Sequence, residues 1–147
     1  MKRTMLLLLL ALMLALPGLC EEAAPVYDTV DVDLTGLDGD EIIDVISRIE
    51  YDPTAYLGQV VRMTGLLGTQ RDKLARQTYF FVYVPAGASA CCSSLYYGFD
   101  FIWYGQHAYP QDYSRVGDMT VTGVLDTYAV GGIPRLVLRD ALVTWAP

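Results

Sequence analysis

The stretch Val61-x-Met63-Thr64-Gly65-x-Leu67 is echoed 58 positions later by Met119-x-Val121-Thr122-Gly123-x-Leu125. Alternate residues of a strand point to one face. Each stretch therefore gathers two large apolar residues, a glycine and a leucine on one side, and mostly polar residues on the other. A glycine inside a strand marks a bulge or a sharp bend, as at a barrel corner. Two long, bent strands of equal cadence predict a small sheet that closes on itself.

The rest of the chain supplies the other elements. Ile42, Ile43, Ile46 and Ile49 recur at spacings of three and four, which is one face of a helix. Asp40 is its expected N-cap, and Pro53 ends it at or before Asp52. Gln59–Thr69, Thr78–Val84, Phe99–Tyr104, Asp118–Tyr128 and Arg135–Val143 read as five strands. Val30–Leu34 reads as a short edge strand, Gln70–Gln77 as a polar hairpin loop, and Gly131-Gly132 as a turn. Residues 90–97 read as a turn of helix or a bulged corner, and 105–117 as a Tyr/Pro-rich loop. The expected fold class is mainly β, a five-stranded OB-like barrel preceded by one α-helix. An open sandwich is the alternative.

The first twenty residues read differently. Lys2 and Arg3 precede an apolar run from Met5 to Leu16, then Pro17-Gly18-Leu19-Cys20. A charged start, a 12-residue apolar stretch and a small-residue exit describe a secretory signal peptide, and the run is shorter than the ~20 residues a spanning helix needs. The expected organisation is a signal peptide over 1–20, an acidic lead-in over 21–38, and the helix with its barrel over 39–147. Cleavage before Glu21 would place the protein outside the cell or in its envelope. Lipidation at Cys20 would instead tether it to the membrane.

Without residues 1–20 the chain keeps 127 residues, with eight basic against seventeen acidic side chains, net −9. Eleven of those acids lie between Glu21 and Asp52, where Arg48 is the single base. An acidic segment repels phosphate backbones, and the clustered basic footprint of nucleic-acid binding is missing. The expected partner is an envelope protein, a peptide or a glycan, and not a nucleic acid.

Three constellations bear on function. Cys91 and Cys92 are adjacent; they would pack as small apolar side chains, form a strained vicinal bridge, or hold a soft metal such as zinc. His107, with carboxylates such as Asp100 or Asp112, would have to complete such a site, since zinc takes about four ligands. Tyr79, Phe81 and Tyr83 share one face of the second strand; with Tyr96, Tyr97 and Tyr104 they form a candidate ligand-binding platform, in the region where OB barrels bind. The competing expectation places these aromatics beneath the isoleucine face of the helix. Asp31-x-Asp33-x-Thr35-Gly36 begins like a calcium loop, but Ile42 stands where a bidentate Glu is needed, so it reads as an acidic turn. No Ser or Cys nucleophile is placed beside His107, so no catalytic residue is assigned and an enzyme is not expected.

The string Asp52-Pro53-Thr54-Ala55-Tyr56-Leu57-Gly58-Gln59-Val60-Val61, then Ala90-Cys91-Cys92, Tyr109-Pro110 and Val121-Thr122-Gly123, resembles small exported OB-fold-like proteins of Gram-positive bacteria. Those carry a Pro-x-x-Tyr-x-Gly-x-x-Val stretch and an Ala-Cys-Cys motif. It is more distantly similar to the C-terminal OB-like domain of a permease-associated membrane protein. The likeness runs over roughly residues 30–145 in motif order. It implies the fold and an envelope location, and no catalytic residue. Two functions are therefore expected: a non-enzymatic exported OB-fold binding module, or a metal-handling or thiol-redox protein acting through Cys91 and Cys92.

Overall fold

The computed structural model describes residues 23–72, 77–85, 96–105 and 118–145 of the chain. Among them lie a short strand β1 (Val32–Asp33), helix α1 (Gly39–Tyr51), a 3-10 turn (Pro53–Ala55), and strands β2 (Val60–Asp72), β3 (Gln77–Pro85), β4 (Tyr96–Trp103), β5 (Met119–Val130) and β6 (Ile133–Trp145). Hydrogen bonds run β2–β3–β4–β6–β5 and back to β2, closing a ring through five strands. All these pairings are antiparallel except β4–β6, which is parallel. The mainly β arrangement, with one preceding helix and a ring of hydrogen bonds through five strands, is thus present.

The repeated stretches are each other's partners. They pair antiparallel, Val61 with Gly123, Met63 with Val121, and Gly65 with Met119. Val61, Met63, Met119, Val121 and Leu125 are all fully buried. Gly65 is where β2 changes neighbours, since its pairing with β5 ends there and its pairing with β3 begins at Leu66↔Tyr83. A Cβ at Gly65 would lie 2.5 Å from the Tyr83 carbonyl oxygen. A Cβ at Gly123 would lie 2.8 Å from that of Arg139. Each repeat therefore bends over its next neighbour at the one position without a side chain.

β1 lies parallel to the first part of β2, beside Val61 and Arg62. The lead-in is held there by Asp31 and Leu34 amides donating to the Val60 and Arg62 carbonyls, and it contributes Leu34 to the core. The acidic turn is structural: Asp33 Oδ1 accepts from the Thr35 amide and hydroxyl, and Asp31 Oδ2 from the Val60 amide. β6 carries one extra residue near Asp140, which adopts φ 51°. Tyr27 Oη donates to the Asp140 carbonyl at 2.9 Å.

Three sequence expectations are corrected. The N-cap of α1 is Asp38, whose carboxylate accepts from the Asp40 and Glu41 amides while Glu41 accepts from the Asp38 amide. This is a capping box, which satisfies otherwise unpaired donors reciprocally. The ends of the polar stretch 70–77 are strand, because β2 reaches Asp72 and β3 starts at Gln77, while 73–76 lie outside the described residues. Last, Ile42, Ile46 and Ile49 join Val61, Met63, Val82 and Phe99 in the core, so the helix faces the ring's interior side chains instead of covering Tyr79, Phe81 and Tyr83. Each such isoleucine contributes roughly 1.5–3 kcal/mol by leaving water. Among the described residues, no helix is long and apolar enough to cross a membrane.

Candidate functional site: an aromatic cleft between two parallel strands

β4 and β6 run side by side, but their pairing begins only at Asp100↔Val137. On the N-terminal side of that pair the two strands part. β4 stays with β3 through Tyr96↔Pro85, whereas β6 stays with β5 through Ile133↔Val130. The gap forms a recess of about 500 Å³, within the range of small-ligand sites. Gly98, Phe99 and Tyr96 line its β4 side and Pro134, Arg135 and Leu136 its β6 side. Phe81, Tyr83 and Thr127 complete the walls, and Glu50 and Pro53, at the end of α1 and just beyond it, border it.

At the vertex sits an ion pair whose carboxylate is buried and whose Arg135 side chain is partly exposed. Asp100 is 4% exposed; its Oδ1 accepts from Arg135 Nη2 at 2.8 Å and its Oδ2 from Tyr128 Oη at 2.5 Å. Arg135 Nη1 also donates to Gln70 Oε1 at 3.1 Å, in the β2–β3 hairpin. Burial lifts the Asp100 carboxyl above the ordinary carboxylate range, against the Tyr128 hydrogen bond and the Arg135 charge. Burial first, then the hydrogen bond to Asp100, pushes the Tyr128 phenol well above its usual value. Tyr128 is therefore a protonated donor throughout the neutral range.

The hairpin tip explains how these residues meet. Gly131 and Gly132 have φ of 59° and 83°, the left-handed pair of a tight type I′ turn, so Tyr128 falls opposite Arg135. The β5–β6 tip thereby leans on β3 and β4, with the Tyr128 ring 6.0 Å from that of Tyr79. Beyond the vertex a second recess of about 300 Å³ is walled by Tyr79, Ile102, Trp103 and Tyr128.

Tyr79, Phe81 and Tyr83 do share the outer face of β3, beside Gly98 and Asp100. Tyr83 meets Tyr96 edge-on at 4.7 Å, and Phe81 lies 5.5 Å from Tyr83. Phe81 is already engaged, because its ring lies over Gly68 on β2. Tyr97 is not brought to this face; it packs against the core on the opposite side of β4. Tyr104 lies past the end of β4, its amide bonded to the Ala141 carbonyl. Cys91, Cys92, His107 and Asp112 lie outside the described residues, as do the N-terminal apolar run and Cys20. Among the described residues, no group of three or more His, Cys, Asp or Glu side chains is placed to hold a metal.

Sequence reasoning missed Tyr128 and Arg135. Their signal was the two-glycine turn, since counting outward from Val130 and Ile133 places them face to face. Comparison with family models, with curated proteins and with solved structures found no match to this chain.

Proposed function

We propose that this chain is a non-enzymatic, exported binding module of the cell envelope, whose ligand enters the cleft between β4 and β6. One observation carries the reading: an aromatic-walled recess opens beside a hydrogen-bonded Asp100–Arg135–Tyr128 cluster. Apolar walls with a few fixed polar groups are the usual make-up of a site that binds and orients a ligand. Tyr96, at 55% exposed, offers an open ring at the mouth. The charged run Lys2-Arg3 and the apolar stretch Met5–Leu16 support export.

Peptide and glycan arrays probed with the protein and with a Tyr83→Ala/Tyr96→Ala variant test the reading. The protein should retain ligands that the double variant loses, with the thermal midpoint of the variant within a few degrees of the parent. Equal binding by both proteins would refute it.

A further inference from the structure

We infer that the occupant of the cleft is an extended, basic peptide segment that adds a strand to the free edge of β4. The inference rests on the cleft being the binding site and concerns the chemistry of what fills it.

Two observations carry it. Among the described residues, β4 over Tyr96–Phe99 is paired with β3 on one side only, because its pairing with β6 does not begin until Asp100. In an antiparallel pair, alternate residues turn their N–H and C=O groups away from the partner strand. Those groups of β4 face the cleft, where an extended chain would satisfy them, as in strand-addition complexes. The opposite wall is a poorer edge, because Pro134 has no amide to donate. A sugar would satisfy such groups only piecemeal, whereas a strand repeats at the same spacing as β4.

The second observation is charge. Arg135 is tied to Asp100 and Gln70, so among the described lining residues Glu50 is the charge without a described ion pair. Glu50 belongs to a segment with Asp38, Asp40, Glu41, Asp44 and Asp52 against Arg48 alone. A field of one sign raises the local concentration of oppositely charged ligands. Lysines or arginines would face α1, and aliphatic side chains would face Tyr83 and Tyr96.

The test is a random heptapeptide display library panned on the protein, followed by fluorescence anisotropy with the enriched peptide made synthetically. Enrichment of Lys or Arg alternating with Val, Ile or Thr is expected. N-methylation of one alternate set of amides should weaken binding about tenfold or more, and of the other set far less, since each lost main-chain bond is worth about that factor. Glu50→Lys should weaken it comparably, by reversing the charge at an exposed helix position that leaves folding intact. Acidic enrichment, or indifference to N-methylation, would overturn the inference. Chitotetraose is the contrasting probe: retention lost in Tyr96→Ala, with no peptide enriched, would sink the peptide assignment and leave the cleft as the binding site. If neither probe class binds in a Tyr96-dependent way, both readings fall.

Discussion

The carboxylate of Asp100 is buried and held between two side-chain donors. Its folded-state proton affinity lies above the unfolded one, because burial outweighs its two partners. Its contribution to stability is thus present below the ordinary carboxylate value and is lost as pH rises through the raised folded value. Asp33 and Asp126 have the opposite sign. Hydrogen bonds, from Thr35 to Asp33 and from the Thr127 amide and Arg139 to Asp126, hold both below the ordinary range. Their contributions are present above it and fade in acid, and solvent exposure keeps them small. Tyr128→Phe removes a bond that favours ionised Asp100, so the Asp100 titration, followed by carboxyl-carbon NMR, should move further upward. A midpoint that stays or falls would show that Tyr128 does not govern this carboxylate.

Helix α1 illustrates how an element can be legible while its boundary is not. The isoleucine spacing placed the buried face correctly, because periodicity is a local property of the chain. Asp40 was the wrong cap by one half-turn, since Asp38 has a glutamate three residues on and Asp40 does not. Replacing Asp38 with Ala removes the side-chain half of the capping box, leaving the amide of residue 38 to donate to Glu41, and should cost about 1 kcal/mol, read as a lower midpoint in urea. Strand faces were equally legible: Phe80, Val82 and Val84 turn toward the core as their alternation with Tyr79, Phe81 and Tyr83 required. The meeting of Asp100 with Arg135 was not. It depends on a parallel pairing between strands separated by another strand and a connection, which no local pattern encodes. Tyr97 was misplaced for a different reason, as its neighbour Tyr96 takes the outer face and the two cannot both do so.

At the scale of the whole molecule, the ring depends on β2 serving two neighbours in succession. Gly65→Ala would drive a methyl group into the Tyr83 backbone, a rigid obstacle, and should destabilise the fold by about 1–3 kcal/mol. Urea unfolding at neutral pH measures this, and a change within a few tenths of a kcal/mol would show that β2 turns without needing a bare position. The two glycine corners also have a meaning beyond folding energy. A sheet that failed to pivot at Gly65 would lie open, with two long rows of amides and carbonyls offered to any passing copy of itself. Closure at that one residue therefore leaves a chain rich in β structure with fewer unpaired main-chain groups along its sheet edges.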